Sequence, residues 1–183
     1  MPVETVALAY ELGLRRFGEN RAQELLAKAP VLPDDAEWHM IGAVQTNKVR
    51  GLAAHVALWH TLDRRALAVE FARRVPGAPV LVEVNVGGEA AKAGCARDEL
   101  DALVDEARGL GLGVQGLMCV PPADADPAAH FAWLQASAQR LGLRELSMGM
   151  SADLAAAVRH GATYVRVGTA LFGSRRADDT ARH

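Results

Sequence analysis

Lysine is scarce in this 183-residue chain. Of its 20 lysines and arginines only Lys28, Lys48 and Lys92 are lysines, so chemistry that needs a side-chain amine is confined to three positions. Cysteine is scarcer. Cys95 and Cys119 form no CxxC pair, which argues against a disulfide framework and fits a reducing compartment. Neither sign of charge is in excess: 20 basic residues against 22 acidic ones leave a net charge of -2. No global field would draw in a polyanion, so nucleic acid is not an expected partner. The opening MPVETVALAYELG lacks a basic segment followed by an apolar run. No apolar stretch reaches the roughly 18 residues of a membrane-spanning helix. No membrane partner is expected, and the expected location is cytoplasmic. His39, His55, His60, His130 and His160 are scattered, several of them reading as helix-surface residues, so no metal site is expected. Carboxylates at the ends of apolar runs are too few for a glycosidase pair.

What is present is apolar material in a regular order. Half the residues are hydrophobic, enough for one domain with a sizeable core. Short β-type runs at 14–17, 37–41, 56–60, 80–86, 114–120, 143–148 and 163–167 alternate with helical patterns at 3–12, 21–29, 47–55, 63–74, 98–108, 128–141 and 152–160. Such alternation predicts a parallel sheet with helices outside it. Near-even spacing without a Rossmann glycine turn favours a closed barrel over an open doubly wound sheet. A barrel needs eight strands, and seven are recognisable. Residues 1–173 read as one domain and 174–183 as a polar tail.

In a parallel barrel the site lies where strands run into the following helices. Those positions hold Glu19-Asn20, Gln45 to Lys48, Asn85, Met118-Cys119, Ser147 with Gly149 and Ser151, and Arg166 with Gly168 and Thr169. Two glycine turns on adjacent last strands supply hydroxyls and backbone N–H groups where barrels hold phosphate; a plain strand-to-helix loop with Ser151 as N-cap is the other reading. Arg166 interrupts the β-branched run YVRVG and must reach the barrel mouth or an acid, since a lone charge is not buried. Asn47 and Lys48 open a helix, where a lysine opposes the dipole unless an anion offsets it. Glu83 and Asn85 share one face of a buried strand, which implies an internal polar layer. Met118, Met148 and Met150 fill core or touch a ring.

The chain resembles the pyridoxal-phosphate-binding homeostasis proteins, which are similar to the barrel domain of alanine racemase without its second domain. The resemblance rests on Phe17-Gly18-Glu19-Asn20, Trp38 to Gly42, Gln45 to Val49, Val84-Asn85-Val86, Gly116-Leu117-Met118, Leu146 to Ser151 and Val165 to Gly173. It implies an α/β fold of the (β/α)8, TIM-barrel-like type with pyridoxal 5'-phosphate (PLP) as cofactor. It implies phosphate at Ser147, Gly149, Ser151, Gly168 and Thr169, with Arg166 near the pyridine nitrogen and Asn20 beside the cofactor. Asn47 and Met118 complete the expected cofactor-binding set. It also implies a carrier or buffer of PLP without robust catalysis, PLP-dependent enzymes as recipients, and a monomer or weak homo-oligomer.

The family pattern departs at the front. There a first strand ends in a motif like Val-Ser-Lys-Thr-Lys-Pro, whose first lysine forms the Schiff base. Pro2 matches the final proline and Met1 stands at the second lysine. The first strand and the cofactor lysine are therefore expected to be missing from this chain, either because a downstream methionine was taken as the start, the favoured reading, or because a short form exists. A barrel without that strand exposes unpaired edges. Lys48 and Lys92 are not expected to reach the ring. Two rival readings stand beside the carrier: a racemase-like enzyme, for which Tyr10 and Tyr164 are the only tyrosines, and a degraded, non-binding form of the fold.

Overall fold

Period-two alternation of apolar residues builds one parallel sheet. The computed structural model describes residues 1–173; the expected polar tail lies outside them. The strands are β1 (Arg16–Glu19), β2 (Glu37–Met40), β3 (Val56–Leu62), β4 (Pro79–Val84), β5 (Gly113–Cys119) and β6 (Glu145–Ser147). All neighbours pair in parallel, in the order in which they occur in the chain. The helices are α1 (Val3–Glu11), α2 (Ala22–Lys28), α3 (Val49–Leu52), α4 (Arg65–Arg74), α5 (Leu100–Gly109), α6 (Pro127–Arg140), α7 (Leu154–Arg159) and α8 (Thr169–Phe172). None is long and apolar enough to cross a membrane.

Each strand sends alternate side chains to two different places. Val80, Val82 and Val84 of β4, Leu117 and Cys119 of β5 and Trp59 of β3 join the large core shared with the helices. Trp59 packs against Phe71 of α4 in a tilted pair, ring centroids 4.7 Å apart. Leu58, Leu81 and Met118 form a separate small cluster on the other face, with Tyr164 and Val120 against it. That second face is concave. Tyr164 is bridged to Ser147 at the end of β6, yet its ring lies 5.5 Å from His39 of β2 and 5.5 Å from His60 of β3. A flat sheet would hold these residues several strands apart, at about 4.8 Å per strand. The sheet therefore curls into an incomplete barrel, and the α/β, barrel-like expectation describes it.

The expectation of seven strands is corrected to six. The segment 163–167 makes a single bridge, Ser147 to Tyr164, flanked by backbone hydrogen bonds from Tyr164 to Leu146, from Met148 to Tyr164 and from Arg166 to Gly149. The reason is local. Its partner β6 is three residues long and gives way to Gly149 at φ +93°, so no ladder can extend. Likewise β4 ends at Val84 rather than 86, because the Asn85 N–H turns to the Cys95 carbonyl. The helix expected over 47–55 is a 3-10 turn, Thr46–Lys48, followed by the short α3.

Candidate functional site

The rim begins at Asn20, directly after β1. It is exposed, and its backbone is pinned by Gly42, where an added Cβ would collide with the Asn20 carbonyl oxygen and Cα. Only a glycine lets the β2 exit pass so close to the β1 exit. Gly42→Ala is therefore expected to push the two loops apart and to cost about 1–3 kcal/mol, read as a lower urea midpoint; an unchanged midpoint would show that the loops yield freely. Beneath Asn20, Glu19 is gripped by Lys28 of α2, which also binds Glu24 at 2.8 Å. Lys28 is only 4% exposed, and sequence reading gave it no part.

Asn47 lies exposed in the 3-10 turn after β2. Met118 lies within the barrel, packed on Leu58 and Leu81. Its place is the layer beneath the rim. Lys92 donates to the Pro121 carbonyl at 3.1 Å and pairs with Glu89 at 2.6 Å. Asn85 does not join the interior layer. Its side chain closes a loop onto the backbone of Glu89 at 2.8 and 3.1 Å.

The two glycine turns meet as their spacing suggests. Gly149 packs so tightly that an added Cβ would strike Ala157 of α7. The Ser151 hydroxyl accepts from the Ala170 N–H at 3.3 Å, which ties the turn after β6 to the turn at Gly168 and Thr169. The backbone N–H groups of Ser151, Ala152, Gly168 and Thr169 have no hydrogen-bond partner among the described residues. Ser151, Gly168 and Thr169 are exposed.

Arg166 rises beside these turns. Its guanidinium donates to the Ser147 Oγ at 2.8 Å and to the Cys119 carbonyl at 2.8 Å. Both anchors are neutral, and no carboxylate pairs with Arg166 among the described residues. Burial draws its pKa below the ordinary arginine value. The Ser147 side chain does not reach the surface. It is fully buried, and its hydroxyl faces Arg166 on one side and His60 Nδ1 at 2.9 Å on the other. Of the residues expected at this turn, Ser151 is exposed, while Ser147 and Gly149 are buried.

His39 and His60 were read as scattered residues; they are buried neighbours. His60 Nε2 lies 3.0 Å from His39 Nδ1, and the two are 1% and 6% exposed. Burial, with His39 and Arg166 nearby, pulls the His60 pKa down to about 3. A signal was present: Trp38-His39 and Trp59-His60 repeat one dipeptide on adjacent strands. If each tryptophan faces the helices, each histidine must face the interior. Glu83 enters the same interior at 8% exposure. One of its oxygens has no hydrogen-bond partner among the described residues. Burial and then the Asp63 carboxylate push its pKa up to about 7, against an opposing pull from Arg166. No group of three or more histidines, cysteines or acids among the described residues could hold a metal ion.

The model of the alanine racemase N-terminal domain family matches residues 2–176. The pyridoxal phosphate homeostasis protein of Pseudomonas aeruginosa is 44% identical over 185 residues, covering 95% of this chain and 80% of the relative. The chain belongs to the alanine racemase N-terminal domain family, and within it to the pyridoxal phosphate homeostasis proteins. A relative of the same name from Aquifex aeolicus is 42% identical over 191 residues, covering 96% of this chain and 84% of its own length. Among solved structures, PipY of Synechococcus elongatus without PLP superposes with a TM-score of 0.86 at 36% identity, over 94% of this chain and 88% of that one. PipY with PLP bound superposes at 0.85 and 35% identity, with the same coverage. Lysine decarboxylase of Selenomonas ruminantium, at 20% identity and a TM-score of 0.69, shares the fold over 90% of this chain and 52% of its own.

Proposed function

We propose that this chain binds pyridoxal 5'-phosphate at the rim formed by Asn20, Asn47, Gly149, Ser151, Arg166, Gly168 and Thr169, and serves to hold the cofactor reversibly within PLP homeostasis. The observation that carries the reading is the guanidinium of Arg166, held among the described residues only by neutral groups, beside backbone N–H groups that have no partner among those residues. Such a site wants an acceptor-rich, anionic ligand, and a phosphate ester with an aromatic nitrogen meets both demands. Homology to proteins of that name, and to PipY with PLP bound, points the same way. When bound, PLP supplies an aldehyde able to react with amines; the residues here bind, orient and shield it. The two glycine turns take the phosphate, Arg166 faces the ring, and Asn20 and Asn47 border it. PLP-dependent enzymes are the proposed recipients.

A racemase needs acid and base groups on both faces of its substrate, and neither tyrosine offers one at this rim. Tyr10 bonds Asp35 on the outside of the barrel, and Tyr164 packs against His39 and His60 within it.

Titration with PLP followed by visible absorbance, with dephosphorylated pyridoxal as control, tests the proposal. Arg166→Met should weaken PLP binding roughly 10- to 100-fold, the worth of a charged hydrogen-bond donor. Pyridoxal should bind far more weakly than PLP to the wild type. Equal binding of both vitamers, or an unaffected variant, would overturn the site.

A further inference from the structure

The interior of the barrel carries a polar chain that ends on the rim cation. Arg166 is donor-only, so the Ser147 Oγ accepts from it. The single hydroxyl hydrogen of Ser147 then has His60 Nδ1 as its acceptor, at 2.9 Å. With Nδ1 accepting, the neutral His60 ring carries its hydrogen on Nε2 and donates to His39 Nδ1 at 3.0 Å. His39 in turn carries its hydrogen on Nε2, which faces the Glu37 carboxylate at 3.9 Å. The opposite tautomers would leave the Ser147 hydrogen without an acceptor and turn a His39 lone pair toward a carboxylate. Only this assignment gives the Ser147 hydrogen an acceptor.

All the hydrogen bonds therefore run in one direction, from Arg166 inward to His39. The edge of the Tyr164 ring packs on both imidazoles and closes the layer from the side. We infer that His60, backed by His39, is a positioning residue for Arg166: it fixes the Ser147 hydroxyl so that its oxygen lone pairs hold the guanidinium in place at the rim. Neutral imidazoles do this where a carboxylate would neutralise the cation, so Arg166 keeps its charge for the ligand. The inference deepens the proposed PLP site and rests on it for its binding consequence.

Three substitutions separate the two ends of His60. His60→Asn places an amide where Nδ1 lies and keeps the contact with Ser147. His60→Gln places its amide where Nε2 lies and loses that contact, and His60→Leu loses both. Each variant is first compared with the wild type by urea unfolding, to select conditions in which all are folded. The hindered rotation of Arg166 is then read from its guanidinium N–H signals in 15N-arginine spectra, assigned with Arg166→Met. Resolved signals are expected for wild type and His60→Asn, and averaged ones for His60→Gln and His60→Leu. PLP binding should stay within about threefold for His60→Asn and weaken at least tenfold for the other two. A folded His60→Leu protein with wild-type Arg166 signals and a wild-type dissociation constant would overturn the inference. If the wild type binds no PLP, the proposed function fails, and the guanidinium signals alone decide the role of His60.

Discussion

Lys28→Ala is expected to cost the fold about 3 kcal/mol. The ammonium lies buried between Glu19 and Glu24, and its removal leaves two carboxylates close together with no cation between them. Breaking such a pair from one side is costly, because Glu19 is left buried without its partner, whereas Glu24 keeps Arg21 at 3.9 Å. Glu19 closes β1, so the loss also loosens the exit at Asn20. The expected result is a lower urea midpoint with an unchanged slope, together with weaker PLP binding through the displaced Asn20. The pH signature is specific. Burial opposes the charge of Lys28, but its hydrogen bonds to the Glu19 and Glu24 carboxylates outweigh it and raise its pKa. Its contribution is complete below the unfolded lysine value of about 10.4 and is lost only as pH climbs through the folded value. Glu24 is lowered, chiefly by the hydrogen bond from Lys28, so its share is present above the unfolded value and is lost as pH falls through the folded one. The variant should thus differ from wild type most between these limits. A difference that vanishes near neutral pH would show that the two carboxylates rehydrate without cost.

Glu83→Gln should act in the opposite direction. A carboxyl raised to about 7 from 4.5 holds its proton more tightly in the folded chain than in the unfolded one. Its stabilising contribution is complete below about pH 4.5 and is lost as pH rises through about 7. The gap corresponds to roughly 3 kcal/mol. Glutamine keeps the shape and cannot ionise. From about pH 4.5 to about pH 8, the stability of Glu83→Gln relative to wild type should therefore move by roughly 3 kcal/mol in favour of the variant. Paired urea titrations at the two ends of that range measure this directly. A difference that does not change with pH would mean that Glu83 ionises in the folded barrel as freely as in water.

These two residues were not equally legible. Glu83 announced itself, because an acid within the run VLVEV has to face some interior. Lys28 did not. It ends an ordinary amphipathic helix, and a lysine there reads as a solvated C-terminal charge that suits the helix dipole. Only the packing of α2 against the end of β1 buries it. The meeting of the two glycine turns was legible because β-type runs that follow each other in the chain bring their exits together. Ser147 shows the limit. It was read with those turns, yet its side chain is buried between Arg166 and His60.

The sequence by itself determined the alternation of strands and helices, the face of each strand toward which a side chain points, and the gathering of polar groups at one rim. These follow from periods of 2 and 3.6 residues and from turn chemistry, which act over a few residues. Only the tertiary structure decided which inward-facing residues meet. His39 finds His60 across 21 residues, His60 finds Ser147 across 87, and Arg166 finds Ser147 across 19. The curl of the sheet brings them together, and curl is a property of all six strands and the helices packed on them, which no short window of residues encodes.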